Sequence, residues 1–117
     1  MRSIILSAVG LLMFCGASFA ASPVGKYLCK GHSPDGGASY TGTVTVVKTG
    51  ATYQVTWLIG GQKYIGTAVG DEGFLAVSYK SGNNTGLALY GSSGDDWKGV
   101  WTYQQGTSLG DEGWTRQ

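Results

Sequence analysis

Carboxylates in adjacent pairs are the first residues of this chain whose types and spacing could do chemistry. They fall at Asp71–Glu72, Asp95–Asp96 and Asp111–Glu112, and the first and last pairs share one tetrapeptide, GDEG, at Gly70–Gly73 and Gly110–Gly113. Two acids flanking one glycosidic bond, roughly 5–10 Å apart, would support hydrolysis. Clustered oxygens would suit calcium, which takes six to eight of them. Adjacency alone achieves neither. Neighbouring residues on a strand point to opposite faces, and the ligand spacing of a calcium-binding EF-hand loop is missing. The sole histidine, His32, lies in KGHSPDGG beside Ser33 and Asp35. A nucleophilic triad needs a base oriented by a third group. Neighbours along one loop do not provide that, so His32 reads as a solvated residue and no catalytic set emerges.

Aromatic side chains are the stronger signal. The chain carries 7 Tyr and 4 Trp, all of them beyond residue 21. Aromatic-lined concavities bind small apolar molecules, sugars or peptides, while Tyr and Trp also fill small cores if their polar tips find partners. Trp57, Tyr64, Tyr79, Trp97, Trp101 and Trp114, together with Glu112, are the candidate ligand-binding residues. No cofactor or metal is expected: one Cys and one His beyond residue 20 cannot supply the four ligands of a structural zinc site.

These residues must be placed by an exported domain. Residues 1–20 have the layout of a secretory signal peptide: Arg2, an apolar run from Ile4 to Phe14, and small residues before a cleavage point after Ala20. The apolar run is shorter than the ~20 residues of a membrane span. The expected location is therefore the periplasm or the exterior. In residues 21–117, a single domain, Lys26, Lys30, Lys48, Lys63, Lys80, Lys98 and Arg116 balance Asp35, Asp71, Glu72, Asp95, Asp96, Asp111 and Glu112. A nucleic-acid binder would show a basic excess. Cys15 leaves with the signal peptide. Cys29 then stands alone, either buried as a small hydrophobe or available for a dimer-forming bridge.

The pattern is all-β. About eight strands alternate with turn signals: Gly25–Gly31, Tyr40–Lys48, Thr52–Ile59, Gln62–Val69, Phe74–Lys80, Gly86–Tyr90, Trp97–Tyr103 and Leu109–Thr115. Turns such as KTGA, IGGQ, KSGNN and GSSGDD supply Gly, Asn and Asp where φ turns positive. Strands so closely linked predict a small eight-stranded antiparallel up-and-down barrel, with a two-sheet β-sandwich as the alternative. One apolar face gathers Val44 and Val46, then Val55 and Trp57, then Leu75 and Val77, then Leu87 and Leu89, and then Trp97 and Trp101. Aromatic-x-Gly recurs at Tyr40, Tyr64 and Trp97, leaving room beside a ring or letting a strand bend.

The run YTGTVTV…TYQVTWLIGGQKYIGTAVG…WKGVWT…LGDEGW resembles a group of small exported proteobacterial proteins, some labelled fibronectin-binding-like. That resemblance implies a binding module for a host or envelope macromolecule such as fibronectin, and carries no catalytic residues. Barrels of this size also include avidin-like ligand binders and lysozyme inhibitors, although a fold does not fix a function. A small-ligand-binding barrel, a lysozyme-inhibitor-like protein and a structural envelope protein are the alternatives. A small hydrolase using Glu112 ranks last.

The alternation separates the two GDEG copies. The first falls between strands as a solvated turn. The second lies within the last strand, where Gly110, Glu112 and Trp114 share a face. If that face is inward, Glu112 needs partners. A tyrosine hydroxyl, backbone N–H groups at a bulge, or Lys26 are the candidates.

Overall fold

A computed structural model describes residues 22–117 and gives one closed antiparallel barrel. The expected signal peptide lies outside the described residues. The strands are β1 (Gly25–His32), β2 (Ser39–Thr49), β3 (Thr52–Ile59), β4 (Gln62–Gly70), β5 (Phe74–Ser81), β6 (Asn84–Ser93), β7 (Asp96–Tyr103) and β8 (Gly110–Arg116). Each pairs with its sequence neighbour, and β1 pairs with β8 to close the ring. The barrel, not the sandwich, is the architecture, and closure leaves no unpaired strand edge. Among the described residues no helix is long and apolar enough to cross a membrane.

Local chemistry explains the meander. Four hairpins turn on two residues: Gly50-Ala51, Gly60-Gly61, Gly82-Asn83 and Gly94-Asp95. Their first glycines have φ of 66°, 58°, 60° and 63°, values that suit the right-handed twist of paired strands and that a side chain would oppose. His32, expected in a loop, ends β1, exposed and within 2.9 Å of the Asp111 carboxylate.

Period-2 alternation then builds the interior from Tyr27, Cys29, Val44, Val46, Val55, Trp57, Ala68, Leu75, Val77, Tyr90, Trp97 and Trp114. The expectation for β6 is reversed. Leu87 and Leu89 are 62% and 54% exposed, while Gly86, Ala88 and Tyr90 face inward. Cross-strand partners share a face, and these three sit opposite Tyr79, Val77 and Leu75 of β5. A narrow interior already crowded by rings admits Gly and Ala there, and has no room for two leucines.

The glycines accommodate rings differently from the same-strand pattern. Gly31, Gly86, Gly99 and Gly110 lie directly opposite Tyr40, Tyr79, Tyr90 and Trp101 on the adjacent strand. In each case an added Cβ would run into that partner's side chain. The ring therefore lies across its neighbour's bare backbone.

The two ends of the barrel differ. At one end residues 22–24 form a stopper. The Arg116 guanidinium donates to the carbonyls of Ser22 at 2.7 Å, Val24 at 3.0 Å and Asp95 at 3.2 Å, and sits 4.7 Å over the Tyr27 ring. The Tyr27 hydroxyl donates to the Pro23 carbonyl at 2.6 Å. The other end carries the β1–β2, β3–β4, β5–β6 and β7–β8 loops and is open.

Candidate functional site

Glu112 organises the open half. It is only 5% exposed, and four neutral donors converge on it. The Tyr40 hydroxyl reaches Oε1 at 2.7 Å. The Trp57 indole, the Tyr90 hydroxyl and the Trp114 indole reach Oε2 at 2.8, 2.8 and 2.6 Å. Indole N–H groups can only donate, and an ionised carboxylate only accepts, with room for about four bonds. Partner and acceptor thus match in kind, with three donors gathered on Oε2 and one on Oε1. Of the partners expected for Glu112, the tyrosine hydroxyl is present. Lys26 faces outward, and two indoles take the place of a cation or of backbone N–H groups at a bulge.

Strand register explains this convergence. Glu112 is flanked on β1 by Gly31 and on β7 by Gly99. Beyond those glycines lie Tyr40 and Tyr90, so one row across five strands reads Tyr40, Gly31, Glu112, Gly99, Tyr90. Each tyrosine spans a bare glycine to bring its hydroxyl to the carboxylate. Trp114 follows two residues along the same strand face, and Trp57 reaches across the interior from β3. Burial, then the Glu112 charge, raise the Tyr40 and Tyr90 hydroxyls well above the usual phenol range. Both stay protonated donors. Burial, and secondarily Glu112, push the Cys29 thiol up to about 12.

Above this cluster the mouth opens into a cavity of about 360 Å³, within the usual range for small-ligand sites. Trp57, Tyr64, Tyr79, Tyr90 and Trp101 form its walls, Glu112 lines it, and Ser33, Asn84 and Tyr103 contribute polar atoms near the loops. The wall rings meet edge to face: Trp57 with Tyr79 at 6.0 Å, Tyr64 with Tyr79 at 6.3 Å and Tyr79 with Trp101 at 6.2 Å between centroids. This geometry is favourable for aromatic pairs and holds the cavity's shape. The Tyr79 hydroxyl is anchored on the Thr102 carbonyl at 3.1 Å.

The candidate residues therefore divide. Trp57, Tyr64, Tyr79, Trp101 and Glu112 line one cavity. Trp97 and Trp114 are each 1% exposed and do not line it. Trp114 supports the site through Glu112, whereas Trp97 packs in the core, its indole nitrogen without a hydrogen-bond partner among the described residues. Tyr40 and Tyr90 belong to the site and lie outside the ligand-binding set expected from the sequence. Their signal is an aromatic opposite a glycine that neighbours an inward acid, which needs the strand register to be seen. Glu112 is the one carboxylate on the cavity wall, so the cavity does not hold the flanking acid pair of a glycosidase. Among the described residues no cluster of three or more His, Cys, Asp or Glu is placed to hold a metal. Cys29 is 1% exposed and faces inward, so its sulfur is withdrawn from the surface that a bridge between two copies would require.

The two GDEG copies occupy different environments. In the first, the Asp71 amide donates to the Phe74 carbonyl at 3.0 Å and the Asp71 carboxylate accepts from the Gly73 amide at 2.7 Å; Asp71 and Glu72 are exposed. That copy is turn chemistry. The second places its glutamate at the centre of the barrel.

Fold and site together define a small antiparallel β-barrel with one stoppered end and one open, aromatic-lined mouth built around a buried carboxylate. Compared with known protein families and with curated proteins, the chain matches none.

Proposed function

We propose that the chain is an exported, non-enzymatic binding protein that holds a small, largely apolar ligand in the mouth of its barrel. The observation that carries this reading is the asymmetry of the interior. One end is closed by residues 22–24 under Arg116, while the other keeps about 360 Å³ open among aromatic walls. A barrel used only as a scaffold would gain stability by filling that space, since unfilled volume forfeits packing contacts. The polar atoms of Ser33, Asn84 and Glu112 would orient the ligand. Thermal-shift screening of small aromatic and amine compounds tests this, with Asn84→Trp as control. Asn84 is exposed at the rim, so its replacement blocks the mouth and spares the core. Stabilisation of the natural protein and not of the variant is expected. Equal stabilisation of both would overturn the reading.

A second reading follows the resemblance to fibronectin-binding-like exported proteins. Leu87, Leu89, Val100 and Leu109 border one shallow groove on the outer wall and are 40–65% exposed. Contiguous exposed apolar surface favours a macromolecular partner. Capture on immobilised fibronectin, lost in Leu89→Lys, would support this reading. Capture unchanged by Leu89→Lys would remove the groove from it.

A further inference from the structure

We infer that the ligand of the barrel mouth is a small organic cation, an ammonium group carried on an apolar body. This rests on the reading of the mouth as a small-ligand site and adds the charge of the ligand.

The wall of the cavity supplies negative potential and nothing to balance it. Glu112 is the one charged group that lines it; no Lys, Arg or His does so among the described residues. The four partners of Glu112 are neutral donors, which leave its charge in place. The His32 ring meets the Asp111 carboxylate at the surface, away from the cavity lining, both residues more than half exposed. Oε1 accepts one hydrogen bond against three at Oε2, so acceptor capacity is left on that oxygen. The surrounding rings add to the same potential. Trp57, Tyr64, Tyr79 and Trp101 are arranged edge to face around one space. The faces of such rings carry negative quadrupoles that attract ammonium groups. An anionic ligand would meet repulsion from Glu112 in a low-dielectric interior with no donor cation to offset it. A neutral ligand would use the apolar walls and leave the charge unanswered.

Isothermal titration of the purified protein with three compounds of one shape isolates the charge. Choline is the cation, 3,3-dimethylbutan-1-ol its neutral counterpart and 3,3-dimethylbutanoate the anion. Indole serves as a neutral aromatic probe of the cavity. Choline is expected to bind at least about tenfold more tightly than the alcohol, with the anion weakest, in line with a desolvated cation–aromatic contact. Trp101→Leu and Tyr64→Leu, which leave Glu112 and its donors in place, should each weaken choline more than the alcohol. Having two wall variants keeps the test usable if one fails to fold. Equal affinity for choline and the alcohol overturns the inference but leaves the mouth a small-ligand site. Failure of all three compounds and of indole to bind at millimolar concentration overturns the parent reading, and this inference with it.

Discussion

Replacing Glu112 with glutamine keeps the shape of the side chain and removes its charge and half its acceptors. The natural carboxylate accepts three bonds at Oε2 and one at Oε1. The charge of the carboxylate lets Oε2 hold three donors; a neutral amide oxygen in its place, with two lone pairs, holds two, so one buried donor is left without a partner, at about 1–3 kcal/mol. The two retained bonds fall from charge-assisted to neutral strength, roughly 1 kcal/mol each. The Tyr40 hydroxyl can turn to accept from the new NH2 group, so its bond is replaced. The net expectation is a loss of about 3–5 kcal/mol, a large part of the 5–15 kcal/mol typical of a domain. Urea denaturation followed by tryptophan fluorescence and far-UV circular dichroism measures it, with the slope against denaturant unchanged. Trp57→Phe supplies the second arm. Alone it removes one bond to a carboxylate and should cost about 1–2 kcal/mol. Combined with Glu112→Gln it removes the surplus donor, so it should cost at least about 1 kcal/mol less than in the natural background. A Glu112→Gln loss below about 1 kcal/mol, or strict additivity in the double variant, would refute the claim that these donors converge on Glu112 to hold the core.

Other consequences are equally direct. Stability should fall as pH rises through 9–12. The Cys29 thiol moves from 9.0 to about 12 and the Tyr79 phenol from 10.0 to about 12 in the fold, burial being the main cause in both. Groups raised in the folded state contribute fully below their unfolded values. Above them the unfolded chain has lost protons that the native one keeps, and the slope reaches about 1.4 kcal/mol per pH unit for each group. Cys29→Ala should delay the onset from near pH 9 to near pH 10, read from urea midpoints; a flat profile between pH 9 and 11 would count against the buried placement of these groups. Gly99→Ala places a methyl against the Tyr90 ring, so it should destabilise by about 1–3 kcal/mol as overpacking does and shift the Tyr90 ring resonances. Finally, a chain of residues 21–117 should run as a monomer on non-reducing gels, and its Cys29 thiol should react with Ellman's reagent only at the unfolding rate. Rapid native labelling would contradict the inward placement of Cys29.

Much of this barrel can be read from the chain, because strand, turn and face are local properties. Glycine-led turns and period-2 alternation locate all eight strands to within a few residues, and the pairing of Glu112 with Trp114 on one face follows from spacing alone. What alternation leaves open is which face turns inward when both are apolar. In β6 the larger leucines lose to Gly86, Ala88 and Tyr90, because the volume available depends on rings contributed by other strands. The partners of Glu112 are hidden for a related reason. Tyr40 and Tyr90 are 72 and 22 residues away in sequence and become its neighbours only through Gly31 and Gly99 once register is known. The contrast between the stoppered and open ends is likewise a property of the closed ring, set by where Arg116 meets residues 22–24.

The central claim is that a ligand enters the open mouth and meets its aromatic walls. The indole N–H resonances of the four tryptophans, assigned by single substitution and followed during titration with choline, test it most directly. Trp57 and Trp101 line the cavity, and Trp97 lies outside it. The account predicts saturable shifts at Trp57 and Trp101 with Trp97 unmoved. Shifts confined to Trp97, or calorimetric binding of choline with no shift at Trp57 or Trp101, would contradict it.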